Sequence, residues 1–381
     1  MPEPDVFAEA SRQLTICNAC RYCEEYCAVF PAIELRTSFG ADDVLYLANL
    51  CHDCRDCYYA CQYAPPHEFA VNLPQVLAGA RQSTYQSYAW PSSLRWLGRL
   101  GPVRLAALTA GISALFVVIT GVAIGWGPLA RVGTAAGAFY RVVPWPVMLG
   151  VALALGVFVM AALAMGAARF VRAHPIAGGP GASWTLRAAL VTGQALAGAA
   201  ADAASLRYLR GPDRGGCAYP GDQPSRARVI LHGLVAWGFV ADLAATAAAA
   251  VEQDLLGRDP PYPPLSVPVV LGTLGGVAIL AGVAGLLVLR RRSDSRPEST
   301  PMRRMDVAFL LVLALVAGTG LLLLVLRATA AMGVLLDIHL GAVAALFVTL
   351  PYGKFAHAVY RYAALVRYRL EIGPTNRQGQ E

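Results

Sequence analysis

Past residue 100 the chain is written in long apolar blocks. Six of them, at roughly 103–127, 146–171, 229–251, 267–289, 307–327 and 338–360, approach the ~20 residues a helix needs to cross ~30 Å of hydrocarbon. Before residue 100 the apolar stretches are short and broken by acids, cysteines and prolines. The pattern predicts a mainly α protein: a helical domain over 1–100, a six-span membrane domain over 101–371 and a polar tail over 372–381. One further helical pattern, at 182–206, carries Arg187, Gln194 and Asp202, and it is placed at the interface or on the soluble side rather than across the bilayer. ADDVLYLANL (41–50) reads as a helix with Asp42 and Asp43 in its first turn.

Composition sharpens this picture. Charged residues make up 14% of the 381, against about 25% in soluble domains, so an ordinary water-soluble fold is excluded. The net charge of +7 is mostly Arg, gathered between spans two and three (Arg172 to Arg228), between spans four and five (Arg290 to Arg304) and after span six (Arg361, Arg367, Arg369). The loop around Glu252, Asp254 and Asp259 is acidic. Cationic loops stay in the cytoplasm, so both termini are expected on the cytoplasmic side of a bacterial-type inner membrane. The charge then speaks for topology and anionic lipid, not for nucleic acid. The opening MPEPDVFAEASRQLT has acids and no apolar h-region, so no cleavable signal is read there.

Eight of the nine cysteines fall between Cys17 and Cys61. Cys17, Cys20, Cys23 and Cys27 are spaced C-x2-C-x2-C-x3-C, and Cys51, Cys54, Cys57 and Cys61 repeat that spacing. Three thiolates at such intervals wrap one side of a cubane, and the fourth reaches a second cluster. Cys17, Cys20, Cys23 and Cys61 are therefore expected to hold one [4Fe–4S] cluster, and Cys51, Cys54, Cys57 and Cys27 the other. Pro usually follows the fourth cysteine directly; here Ala28 and Gln62 do. Disulfides are disfavoured in a reducing cytoplasm, and structural zinc does not call for this spacing twice. The segment lacks the alternation of a small strand-rich ferredoxin, which favours a helical ferredoxin-like domain. Cys217, alone between spans, reads as a free structural thiol.

Three of the six histidines lie in or beside apolar spans: His232, His339 and His357. An imidazole inside a membrane helix is costly and marks function, and beside iron–sulfur clusters its natural use is axial ligation of a b-type haem. With span three running outward and span six inward, His232 and His357 are level at the cytoplasmic side. His339, 18 residues earlier, falls in the opposite leaflet, where span three offers Gln253 and no histidine. One haem held by His232 and His357 is expected; His339 is the candidate ligand of a second. His174 is a spare candidate, His52 and His67 tune or cap the clusters, and Lys354 and Tyr352 are candidates for a quinone headgroup site.

These motifs recur, in order, with PPHEFAVNLPQVL (65–77), YQSYAWP (85–91), VPVVLGTLGG (267–276) and HLGAVAALFVTLPYGKFAHAVYRY (339–362). Over nearly its whole length the chain resembles the tricarballylate/citrate utilization protein B family. Its last span is similar to the cytochrome b subunit of respiratory nitrate reductases, where two histidines at the spacing of His339 and His357 serve two haems. The resemblance implies an electron-transfer partner for an FAD-dependent dehydrogenase that oxidises tricarballylate to cis-aconitate, with electrons passing through the clusters and haem b to the quinone pool. The family tends to carry a histidine near Gln253, and this sequence departs there. Similar modules are fused to a flavoprotein in a cobalamin-biosynthesis monooxygenase, and a membrane redox sensor is a rival from another class. No nucleophile, base or phosphate loop is evident, so substrate chemistry is left to a partner.

Overall fold

The structure, a computed structural model, describes residues 5–131, 133, 135–174 and 186–373, with side chains from 191 onward in the last range. The tail beyond Gly373, residues 182–185 of the interfacial pattern and the side chain of Arg187 lie outside the described residues.

Five helices form the N-terminal part: α1 (Val6–Cys20), α2 (Val29–Glu34), α3 (Ala41–Leu50), α4 (Asp56–Tyr59) and α5 (Leu73–Ser87). Asp5 caps α1 by accepting from Phe7 N at 3.0 Å. Asp43, the third residue of α3, accepts from Gly40 N, so the acids read as first-turn residues do that work. The membrane part contributes α6 (Pro102–Ile124), α7 (Trp126–Leu129), α8 (Trp145–Ala173), α9 (Leu186–Ala204), α10 (Ala227–Asp254), α11 (Val267–Arg291), α12 (Thr300–Leu326), α13 (Met332–Thr349) and α14 (His357–Ile372). Among the described helices α5, α6, α8, α11 and α12 carry Pro at the first or second position, where its missing N–H costs nothing. A two-residue hairpin, β1 (Cys217–Ala218) with β2 (Pro224–Ser225), stands before α10.

Among the described residues six helices, α6, α8 and α10 to α13, are long and apolar enough to cross a membrane. The fold is thus mainly helical with six candidate spans, as the sequence predicts. The sixth span differs in extent: the expected run over 338–360 is broken, with α13 ending at Thr349 and a separate α14 starting at His357. Pro351 has no N–H to continue the ladder, and its ring clashes with the preceding turn. His339 and His357 therefore stand on two helices, and the one-helix spacing argument for them does not hold. The interfacial pattern forms α9, which lies along α14 and ties to it through Asp202 and Arg369 at 2.6 Å.

Packing explains what holds these layers. α10 lies on α11 along a stripe of glycines: a Cβ on Gly275 would come within 2.8 Å of the Gly238 carbonyl oxygen, and one on Gly282 within 2.8 Å of the Leu231 carbonyl oxygen. Such close backbone approach is how helices associate where lipid gives no hydrophobic drive. The N-terminal core does not stop at residue 100. Leu47, Leu77 and Tyr85 share one buried cluster with Phe170, Tyr360 and Leu365, so α14 belongs to the core of the cysteine-bearing part. Glu371 near its end accepts from Arg36 at 2.8 Å and Tyr46 at 3.1 Å, which ties α14 to α3.

Candidate functional site: two thiol-lined cavities above a histidine pair

The first cysteine motif begins on the last turn of α1. Arg21 then takes the left-handed conformation at φ 55°, its N–H returning to the Cys17 carbonyl, so the chain curls back and carries Cys23 round. The second motif does the same between α3 and α4, with Asp53 at φ 56° and Arg55 at φ 72°. Left-handed non-glycine residues cost conformational energy and cluster where surrounding structure over-determines them. Here they curl each cysteine loop around a centre.

Two cavities occupy those centres. One, with about 490 Å3 of atom-free space including its open side, is lined by Cys17, Cys20, Cys23, Cys61 and Cys57 among apolar residues such as Ile16, Phe30 and Val71. The other, with about 370 Å3, is lined by Cys27, Cys51, Cys54 and Cys57. The fourth cysteine of each motif thus lines the cavity of the other motif, and Cys57 borders both. Among the described residues no three His, Cys, Asp or Glu side chains gather on a single ion-sized point; the thiols are spread around the two cavities. All nine cysteines are free thiols.

Burial raises these thiols. Cys17, Cys23 and Cys27 are pushed up to about 12, first by burial and then by neighbouring thiols; Cys57 lies well above the ordinary thiol range for the same reasons, and Cys54 does so through burial and then the Asp56 carboxylate. A bare thiolate is therefore unfavourable in either cavity. Thiolates form there only against a positive centre that shares their charge, and the donor set fits iron–sulfur clusters.

Below the second cavity the chain is rich in cations. Arg81 donates to the Cys51 carbonyl at 2.6 Å and to the Ala48 carbonyl at 2.6 Å, and Arg361 of α14 donates to the same Cys51 carbonyl at 2.9 Å. Arg55 and Arg228 stack on Tyr219 with guanidinium-to-ring distances of 4.5 and 4.8 Å, and Arg228 also donates to the Asp53 carbonyl. Asp56 accepts from Ala218 N at 2.6 Å, which fixes the hairpin over the cavity and sets the fully buried Cys217 beside Cys54. Sequence reasoning missed this ring, because Arg228 and Arg361 read as topology determinants. Arg81 offered a signal: it is the one charge in α5.

His357 opens α14, four residues before Arg361, and faces His232 of α10 with ring centres 6.2 Å apart and planes at 86°. Two metal–nitrogen bonds of about 2 Å and the ring radii put imidazoles on one metal roughly 6 Å apart, so the two rings are spaced as they would be to hold one metal between them. Nδ1 of His357 lies 2.5 Å from the Lys354 carbonyl, which assigns it the proton and leaves Nε2 with its lone pair. Nδ1 of His232 is buried without a hydrogen-bond partner. Burial also lowers His357 well below the usual histidine range, so the ring is a neutral donor.

His339 sits elsewhere. Its Nδ1 is 3.0 Å from Thr319 Oγ1, and its ring lies over Gly320, where a Cβ would come within 3.0 Å of it. Gln253, expected opposite, bonds Tyr140 at 2.8 Å and Asp259 at 3.0 Å instead. His174 is buried against Tyr88 and Phe170 with Nδ1 2.6 Å from the Phe170 carbonyl. His52 packs on Tyr208, and His67 on Tyr63 and Phe69. Tyr352 is fully buried and donates to the Trp90 carbonyl at 3.1 Å. Lys354 is paired with Asp306 at 2.6 Å and borders an apolar cavity with Thr349, Phe309 and Leu346; burial brings it down to about 8.

Comparison with known proteins agrees with both halves. Residues 10–87 match the family described as Citrate utilization protein B Fer4-like domain, and residues 99–378 match Citrate utilization protein B. The chain is 40% identical over 374 residues to the Citrate utilization protein B of Escherichia coli, covering 97% of this chain and 93% of that one. No solved structure matches.

Proposed function

The chain belongs to the citrate utilization protein B family, and we propose that it is a membrane-anchored electron carrier that reoxidises an FAD-dependent dehydrogenase of tricarballylate or citrate utilization and delivers the electrons to quinone. The observation that carries this reading is a run of contacts from one thiol-lined cavity to the other through Cys57, from the Cys51 carbonyl to Arg361, and one turn along α14 to the His232–His357 pair. Cys17, Cys20, Cys23 and Cys61 hold one [4Fe–4S] cluster, Cys51, Cys54, Cys57 and Cys27 the second, and His232 and His357 a haem b. When bound, these groups supply one-electron carriers between a two-electron flavin and a two-electron quinone.

The chain's own residues do the rest. The rim of the first cavity is open, with Tyr22 66% exposed, so a donor can approach it. At the second cavity the hairpin is fixed by Asp56, and α14 reaches the Cys51 carbonyl through Arg361. The Lys354 carbonyl holds the His357 ring in one tautomer. Lys354, Thr349 and the apolar residues beside them offer a quinone headgroup a polar end and its tail an apolar wall. The termini and the Arg-rich loops lie on the cytoplasmic side of the inner membrane, which puts the cysteines where a soluble flavoprotein is.

The test uses membranes carrying the full chain and a reduced FAD-dependent dehydrogenase of this pathway. The cluster absorption should bleach, the haem should then be reduced, and a quinone analogue should reoxidise both. Bleached clusters beside a permanently oxidised haem would end the linear relay.

A further inference from the structure

Arg81 and Arg361 point their guanidinium groups at one carbonyl, that of Cys51, and neither forms an ion pair with a carboxylate among the described residues. Arg81 is 2% exposed, and the Nε of Arg361 is buried without a partner. Two buried, uncompensated cations in contact with one peptide are costly in isolation. They become favourable only beside an anion, and the second cavity supplies one when loaded, since four thiolates outweigh a cubane core by about two charges. Arg55 and Arg228 stand on its other side, but Asp53 lies 3.9 Å from the first and 3.7 Å from the second, so their charge is partly met. The first cavity is different: among the described residues it has neither a lining cation, as Arg55 is for the second, nor a buried arginine bonded to one of its cysteine carbonyls. The exposed charges near its rim are of both signs, Arg21 between Cys20 and Cys23 together with Glu24, Glu25 and Glu68.

We infer that Arg81 and Arg361 hold the second thiol cavity at a higher reduction potential than the first, which makes the membrane-facing cluster the electron-accepting member of the pair. This rests on the iron–sulfur reading given above. Reduction adds one negative charge to a cluster; beside two buried guanidinium groups without a carboxylate partner that charge is stabilised, while the nearby acids are already engaged, Asp53 by Arg55 and Arg228 and Asp56 by Ala218 N, and water screens the exposed charges of both signs at the first rim. The Asp53 N–H, 3.4 Å from Cys51 Sγ, acts in the same direction by hydrogen bonding to a ligand sulfur. Arg361 is one helical turn from His357, so the group that favours the electron also joins the cavity to the histidine pair. Arg81 and Arg361 are positioning residues here: they touch a ligand's backbone.

The experiment is a potentiometric titration, followed by electron paramagnetic resonance, of membranes carrying the full chain. Cys20→Ser and Cys54→Ser assign the two cluster signals by which one each removes or alters. In the unsubstituted chain the signal assigned to the second cavity should have the higher midpoint. Arg361→Gln and Arg81→Gln should each lower that midpoint by about tenfold in the reduction equilibrium, which is 59 mV for a one-electron couple, and leave the first signal in place. Arg361→Lys, which keeps the charge, should stay near the original midpoint. Arg95→Gln, on an exposed residue, should move neither signal. A reversed order of midpoints in the unsubstituted chain overturns the inference without any variant having to assemble. Equal shifts of both signals, or no shift, also overturn it. Absence of any iron–sulfur signal on reduction would instead overturn the reading on which it rests.

Discussion

His232 and His357 differ from the other four histidines in one respect: they are the two whose rings face each other. His339 is bonded to Thr319, and no second histidine ring meets it among the described residues. About one haem b per chain is therefore expected, by the two-imidazole rule for its ligation. Alanine at His232 or His357 should remove the haem spectrum of the purified protein. His339→Ala should keep most of it. Two haems per chain, or retention in His232→Ala, would mean the wrong residues are paired here. That the His232 and His357 rings meet follows the expectation from the chain, in which the positive-inside reading of the loops puts those two histidines level. The partners of Gln253 and His174 were not legible: they depend on Tyr140, Asp259 and Phe170, whose positions are set by folding and not by spacing.

Among the elements, the α10–α11 hairpin is the most sensitive. α10 carries His232 and packs chiefly on α11, backbone to backbone at Gly238, Gly275 and Gly282. A large side chain in this stripe cannot be absorbed by a flexible neighbour, because the facing atoms at Gly275 include the Gly238 carbonyl oxygen 2.8 Å from where its Cβ would sit. Gly275→Leu should overpack the pair and destabilise the solubilised protein by about 1–3 kcal/mol. It should also lower haem content by moving His232 off His357, and measurement of melting and of haem per chain together tests this. Unchanged values for both would show that the hairpin is held otherwise. The helix positions themselves follow from apolar length, and α3 begins and ends where its acids and its pattern indicate. The end of the sixth span does not. The apolar run continues past Pro351, so hydropathy alone extends a helix that the pyrrolidine ring stops.

At the scale of the whole molecule, the two halves are joined through α14 and the hairpin. Its three-dimensional consequence was hidden in the sequence, since Arg361 and Cys51 are 310 residues apart along the chain and share one hydrogen bond. The cysteine spacing, by contrast, carried its information locally, and the crossed assignment of Cys27 and Cys61 agrees with which cavity each lines. Everything in the account depends on those cavities holding iron and sulfide. The direct measurement is metal and acid-labile sulfide analysis of the full chain purified without oxygen. About eight non-haem irons and about eight sulfides per chain are predicted from two cubanes; tightly bound zinc with no acid-labile sulfide would contradict the account.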